Sequence, residues 1–592
     1  MNIDHDTCII GAGWSGLMAC KYFKAAGFNP VVLEKGPDIG GVWRYDPDRV
    51  AGGVLASTIT TSSISATEMS DFPMPDDFPE FPRHSQIMDY LRAYCERFGL
   101  REHIRFSAGV ETVEKVGDVW QIHAGGTIYE CARVVVCSGV HQEPENSGRV
   151  TLAGFEGEVI HSAAIKNRIT EQAGKRILLV GTGETASDLA VELTRQTPHL
   201  AVSSPRGQWF VGRTSSVPVS PPTLNDFYSA PIRRIVDPTD SAFAATQVIE
   251  DRYGACGSGI PEWQSERPFQ AQFFNKNTLL IDLWRLGQVT AKPRIVRCEG
   301  NTVHFSDGST GEYDVAILCT GFDTVFPFLP APYATRRIDA HFKMMLADDE
   351  TLSFVGFVRP VAGSIPTIAE LQSRCLAAMY AGTIPVPGDR QRTIDADKAY
   401  AKRRFDSSRI AGLVDMVRYL DDLAIWMDVL PDYGRLLAES PRRWWAAMTA
   451  PYNGAQFWLN DDDRREAALS RLKRPKYIVQ NALHAWAFIL YRNAFPLRRV
   501  RAFSERRWHG WRMVVGLLLG PLFLPAGVLV LRKSNALTQV YGALLLLLLS
   551  PILVKRVAGQ RRRRAKMRLQ FLPGKAKKPT VSPVRIAVEA AA

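Results

Sequence analysis

Residues 7–16 read TCIIGAGWSG and residues 176–186 read RILLVGTGETA, and in both a short apolar strand runs straight into a glycine-rich turn. After the first turn, apolar residues at Leu17, Cys20 and Phe23 predict a helix, and Asn29–Glu34 (NPVVLE) predicts the next strand. After the second, a helix through Leu193 and a strand at Leu200–Ser204 (LAVSS) repeat the order. Strand, glycine turn, helix, strand, twice over, predicts an α/β chain with two doubly wound, Rossmann-like dinucleotide-binding domains.

Each glycine has a physical task. Gly11 permits the tight turn, Gly13 lets the backbone approach a pyrophosphate, and Gly16 lets helix pack on strand, while the helix N-terminus offers its partial positive charge to the phosphates. Glu34 ends the second strand 18 residues past Gly16, where a carboxylate accepts both ribose hydroxyls of an adenosine. In the second copy Gly181 and Gly183 repeat the turn, with Ala186 as the third small residue. The position equivalent to Glu34 is Ser204, with Arg206 two residues on. A carboxylate repels a 2′-phosphate, whereas serine and arginine accept one, so the first turn suits FAD and the second NADPH.

Composition narrows the rest. The chain has 592 residues, 46% hydrophobic and 22% charged, which excludes a disordered protein and leaves room for two or three domains. Nine scattered cysteines, none spaced C-x-x-C, argue against a disulfide framework, a zinc ribbon or a redox dithiol, and no metal site is expected. No P-loop and no Ser/His/Asp set is present. The net charge is +12, yet residues 491–592 carry 21 Lys/Arg against 2 Asp/Glu, which leaves the preceding 490 residues acidic at −7. Basicity confined to a tail, flanking uncharged apolar runs, argues against nucleic acid.

Those runs are Met513–Leu531 and Ser534–Val554, 19 and 21 residues, each long enough to cross a hydrocarbon core of roughly 30 Å. Arginines and lysines lie on both outer sides, so the positive-inside rule puts both ends in the cytosol and makes the pair a membrane hairpin. The short Arg532–Lys533 connector and Pro521 and Pro525 keep a monotopic hairpin open. No signal peptide is expected, since Met1–Asp6 is acidic and the apolar stretch after it is a short strand pattern, so the body is expected to face the cytosol as part of a membrane-associated protein.

The segments GAGWSGL (11–17), LEKGPDIGGVW (33–43), EMSDFPMPDDFP (68–79), VCSGVHQEP (136–144), FEGEVIHS (155–162), CTGFDTVFPFL (319–329), GFVRPVAGSIPTIAELQSR (356–374) and YLDDLA (419–424) together resemble the flavin-containing monooxygenase family, in family order, over roughly residues 5–475. The resemblance implies a flavoprotein that reduces FAD with NADPH, captures O2 as a C4a-hydroperoxide and gives one oxygen atom to an amine nitrogen or a sulfur of a small, hydrophobic substrate. It also implies an NADP domain inserted into a discontinuous FAD domain: residues 1–165 and 300–475 for FAD, 166–299 for NADP, with the CTGF and ELQSR segments returning the chain to the FAD domain. An interfacial segment (476–512), the hydrophobic helices of the hairpin (513–554) and a basic tail (555–592) follow. A homo-oligomer is left open.

Residue by residue, the family motifs place Gly11, Gly13, Trp14, Ser15, Gly16, Glu34, Lys35, Val42, Trp43 and Gly321 around FAD, and Gly181, Gly183, Thr185, Ala186, Ser187, Asp188, Ser204 and Arg206 around NADP. Two departures stand out. The fingerprint F-x-G-x-x-x-H is met by Phe155, Gly157 and His161, but four residues later stands Ile165, where tryptophan marks Baeyer–Villiger enzymes and tyrosine or phenylalanine the flavin-containing type. His161 is read as a link between the two domains. The family's asparagine beside the flavin falls on Ile64, which donates no hydrogen bond, so Ser62, Ser63 and Gln372 are the candidates near the reacting oxygen. The alternatives are a Baeyer–Villiger monooxygenase and a membrane-tethered NADPH oxidase or reductase.

Overall fold

The computed structural model describes residues 5–472, apart from 50–51, 146–151, 214–225, 227–228, 232–258, 266, 268–270, 332, 335–338 and 406–411. The hairpin and its flanks, 476–592, lie outside the described residues. Among the described residues no helix is long and apolar enough to cross a membrane.

Strand β1 (Thr7–Ile10), helix α1 (Trp14–Ala25) and strand β2 (Pro30–Leu33) form the first repeat. β1 lies parallel between β2 and Arg133–Val136, in a seven-stranded sheet that extends through Ile104–Arg105 on one side and Leu352–Phe354, Met345–Leu346 and Ala340–His341 on the other. Every residue of β1 and β2 is buried, as continuous apolar strands covered on both faces must be. Helix α1 covers one face and packs against the helix Ile365–Tyr380, where Tyr22 donates to the Glu370 carboxylate at 2.9 Å.

The second sheet is parallel and five-stranded, in the order Thr290–Lys292, Leu200–Ser203, Ile177–Val180, Val315–Leu318, Glu158–His161. Two of its strands fall outside the span 166–299 expected for the second domain. Val315–Leu318, which leads into CTGF, does not return to the first sheet: its apolar VAIL run suits an interior slot, and long-range pairing in register with Ile177–Val180 and Glu158–His161 decides which sheet receives it. The chain re-enters the first sheet later, with Ala340–His341, Met345–Leu346 and Leu352–Phe354. All strands of the second sheet thus lie between residues 158 and 318, interposed in sequence between strands of the first.

Two short strands, Glu143–Pro144 and Phe322–Asp323, pair antiparallel where the chain passes out of one sheet and back from the other. The Phe322 ring stands edge-on between the rings of His141 and His161, 5.3 Å from each.

Candidate functional site

The two glycine turns are built alike, atom by atom. The Gly11 N–H donates to Leu33 O at 2.8 Å, and the Gly181 N–H to Ser203 O at 2.8 Å. Both glycines have positive φ, +103° and +120°, which a side chain resists. A Cβ on Gly11 would lie 2.9 Å from Cys137 O, and one on Gly181 would lie 2.5 Å from Cys319 O. Cys137 and Cys319 follow the neighbouring strands in VCSG (136–139) and LCTG (318–321), and their N–H groups donate to Ile10 O and Val180 O. The C-S/T-G segments are therefore a second internal repeat, legible in the sequence as an apolar strand ending in Cys-Ser/Thr-Gly. Burial pushes the Cys319 thiol up to about 12, so this cysteine packs and does not attack.

At the first turn a Cβ on Gly16 would sit 1.8 Å from Gly11 O, which fixes the close approach of helix to strand. The loop 40–43 lies against the turn: the Gly40 N–H donates to Ala12 O at 3.0 Å, and a Cβ on Gly41 would meet Gly13 Cα at 3.0 Å. Val42 and Trp43 belong to that loop; the Val42 carbonyl accepts the Val54 N–H and the Trp43 N–H donates to Gly40 O. Glu34 is 8% exposed, and its oxygens accept the Ala12 N–H at 2.7 Å and the Gly36 N–H at 2.8 Å. A carboxylate has about four acceptor positions, so two remain for ribose hydroxyls. The buried Ser138 Oγ has no protein partner beside this turn. Ser15 meets Gly356 closely, since a Cβ there would lie 2.2 Å from its Oγ. Trp14 turns into the core against Tyr90, and Lys35 is exposed and bonded to Gln142 at 2.9 Å. The glycine cradle, Glu34 and the free Ser138 hydroxyl fit an FAD adenosine diphosphate.

At the second turn nothing lies within 4 Å of a Cβ built on Gly183, so the backbone is open where a pyrophosphate would approach. Ala186 is buried, Thr185 is exposed, and Ser187 accepts from Asn275 Nδ2 at 2.8 Å. Ser204 is buried and shares a hydrogen bond with Thr182 Oγ1 at 2.9 Å; Arg206 is half-buried two residues on. Asp188 accepts from Asn277 Nδ2 at 2.7 Å and Thr58 Oγ1 at 3.3 Å, so it tethers the second unit to the first and does not face a ligand alone.

Burial, reinforced by the Glu184 carboxylate, pushes the Asp188 carboxyl up from 3.8 to about 6. A carboxyl whose folded-state pKa is raised favours the folded state at low pH, and that advantage is lost as pH rises to about 6. Asp188→Asn should therefore leave Tm nearly unchanged relative to the wild type at pH 3.8, gain on it progressively up to pH 6 and hold a constant gap above. Paired thermal melts across pH check this; a gap independent of pH contradicts it.

Each of the three residues expected near the reacting oxygen has partners within the protein. Gln372 is fully buried, accepts the Gly356 N–H at 3.0 Å and donates to Tyr419 OH at 2.6 Å, so it positions the 356–364 loop with one amide N–H left over. Ser63 caps the helical turn Ile64–Thr67 and donates to Asp226 at 2.6 Å. Ser62 donates to Gly363 O at 3.1 Å and sits closest of the three to open chemistry, being half-buried. Ile64 is 8% exposed and packs into the main core. Ile165 is wholly buried in the core of the second sheet. His161 accepts the Ala163 N–H at Nδ1 (3.2 Å) and lies 3.1 Å from Gly321 O at Nε2, an arrangement that suits a neutral ring, and burial lowers its pKa. It links strand ends and is not placed as a base. Sequence reasoning did not single out Lys166, which reaches from the second unit to Arg49 O at 3.0 Å and which burial pulls down to about 8.

The sequence model of the family described as Flavin-binding monooxygenase-like matches residues 5–480. The chain belongs to this flavin-binding monooxygenase-like family. Relatives of the family include the chimpanzee (Pan troglodytes) dimethylaniline monooxygenase [N-oxide-forming] 2, 28% identical over 80% of this chain and 92% of that one. The rat (Rattus norvegicus) flavin-containing monooxygenase 5 is 27% identical over 76% and 88%. Among solved structures, S-allyl-L-cysteine S-oxygenase from Allium sativum matches 79% of this chain and 98% of its own with a TM-score of 0.53 at 20% identity. Cyclohexanone monooxygenase from Rhodococcus sp. Phi1 bound to NADP+ matches 74% and 98% with a TM-score of 0.53 at 19% identity. At such identities these two establish a shared fold. As a flavin-binding monooxygenase, the protein takes FAD and NADPH as cofactors.

Proposed function

We propose that this protein is an NADPH- and O2-dependent monooxygenase that transfers one oxygen atom to a nucleophilic nitrogen or sulfur of a small, hydrophobic substrate. When bound, FAD supplies the redox and oxygen-transfer chemistry. The polypeptide binds, orients and excludes water: the first turn and Glu34 hold FAD, the inserted second turn with Ser204 and Arg206 holds NADPH, and the loop 356–364 packs beside Ser15 and Ser62. The observation that carries this reading is the pair of matched turns with opposite adenosine selectors, a carboxylate at Glu34 and a hydroxyl at Ser204, in one chain. The Baeyer–Villiger tryptophan is absent at Ile165, and N- or S-oxygenation is preferred because a relative named as N-oxide-forming matches 80% of the chain. Turnover of dimethylaniline and of a thioether under 18O2 tests it: an oxide carrying one labelled oxygen is expected, and unlabelled or absent oxide rejects the assignment.

The same reading holds the catalytic body on the cytosolic side of a membrane through Met513–Leu531 and Ser534–Val554, supported by the length and basic flanks of those runs. Deleting 513–592 should move the protein from the membrane pellet to the soluble fraction with its flavin retained. Continued pelleting would transfer the anchor to the aromatic segment 476–512.

A further inference from the structure

The loop 356–364 carries a cation, Arg359, outside both glycine turns. Arg359 begins a short strand, Arg359–Pro360, paired in parallel with Leu413–Val414. Its guanidinium donates through Nη2 to His141 Nε2 at 3.1 Å and lies over the Phe273 ring at 4.9 Å. Burial lowers the His141 pKa to about 3, so its ring is neutral and acts as an acceptor that orients the guanidinium. Burial alone pulls Arg359 down to about 10, with no carboxylate opposing it. Among the described residues its other guanidinium nitrogens have no acceptor, and none of them is sealed in the interior.

The location of this cation is informative. Three residues before it, Gly356 packs on Ser15 at the first turn; four residues after it, Gly363 accepts from Ser62. On the far side, Phe273 O accepts from Gln208, two residues beyond Arg206 in the second unit. Arg359 therefore stands between the flavin turn and the nicotinamide dinucleotide turn. A half-buried guanidinium without a paired carboxylate keeps donors available, and its planar fork matches the two oxygens of a carboxylate or phosphate.

We propose that Arg359 is an anion-receiving residue that binds an oxyanion of a ligand held between the two turns, either a carboxylate on the substrate or a phosphate of the nicotinamide dinucleotide. The choice of these two sources rests on the monooxygenase reading above. His141 is the positioning residue that holds the guanidinium in place.

The test uses the full-length, FAD-loaded protein and reads binding, not turnover. Affinities for NADP+, for S-methylcysteine as a thioether with a carboxylate, and for dimethyl sulfide as one without are measured by calorimetry in the wild type, Arg359→Gln and Arg359→Lys. Loss of a charge-assisted contact should weaken the affected ligand about ten- to a hundredfold in Arg359→Gln, with a smaller loss in Arg359→Lys. A loss confined to NADP+ assigns the anion to the dinucleotide phosphate; a loss confined to S-methylcysteine assigns it to the substrate carboxylate. Unchanged affinity for both anions overturns the proposal. So does loss of FAD by both variants, which would make Arg359 a structural residue. Failure to oxygenate any substrate while anion binding depends on Arg359 would reject the monooxygenase reading and leave this one standing.

Discussion

Gly16→Ala is expected to yield a colourless protein. The added Cβ would sit 1.8 Å from Gly11 O and 2.9 Å from its carbonyl carbon, both backbone atoms that no side-chain rotation can move. Relief requires α1 to lift from the end of β1, which opens the turn whose N–H groups would face the pyrophosphate. Overpacking against backbone costs about 3 kcal/mol at the upper end of its usual range, enough to lower FAD retention about a hundredfold if it falls wholly on the holo conformation. Gly183→Ala is the matched comparison. Its Cβ meets nothing within 4 Å, and its φ of −79° suits alanine, so that variant should stay yellow while its methyl obstructs the dinucleotide and weakens NADP+. Flavin absorbance of the purified proteins and an NADP+ titration read both results. A yellow Gly16→Ala protein with full flavin content would show that the first turn does not hold FAD.

Ser204→Glu should convert the second turn to the selectivity of the first. Glu34 accepts the Ala12 N–H at 2.7 Å, and Thr182 and Ser204 occupy the equivalent positions of the second repeat, where the two side chains already hydrogen-bond at 2.9 Å. A glutamate at 204 therefore has a donor waiting for it, and its charge would oppose the 2′-phosphate while accepting a 2′-hydroxyl. The efficiency ratio of NADPH to NADH should fall by at least about a hundredfold, equivalent to about 2.7 kcal/mol. Arg206→Ala should shift the same ratio about ten- to a hundredfold by removing the guanidinium. Steady-state NADPH and NADH oxidation by each variant gives the ratio. An unchanged ratio in both would place the 2′-phosphate elsewhere.

What could be read from sequence is what local pattern determines. β1, α1, β2 and their second copies follow from apolar runs, glycine spacing and the selector residue 23 positions past the first glycine, and the structure places these strands within a residue of their expected limits. The membership of Val315–Leu318 was not legible, because its VAIL run suits either sheet and only pairing with a strand more than 130 residues away decides. Gln372 shows the same difficulty for a site. Its motif is recognisable, but its role depends on Gly356 and Tyr419, which the fold brings together around it. The anchoring of Ser63 by Asp226 and the edge-on placement of Phe322 between two histidines are likewise long-range arrangements without a local signal.

Ile64 in place of an amide donor makes the fate of oxygen the decisive question. The measurement that addresses it most directly is rapid mixing of the NADPH-reduced protein with O2, following the return of oxidised-flavin absorbance with and without a tertiary amine or thioether and quantifying oxide and H2O2. The account predicts slow return of the oxidised flavin without substrate, faster return with it, and oxide formed in proportion to NADPH consumed. Immediate return of oxidised flavin with one H2O2 per NADPH, whatever substrate is present, would contradict it and make the protein an NADPH oxidase.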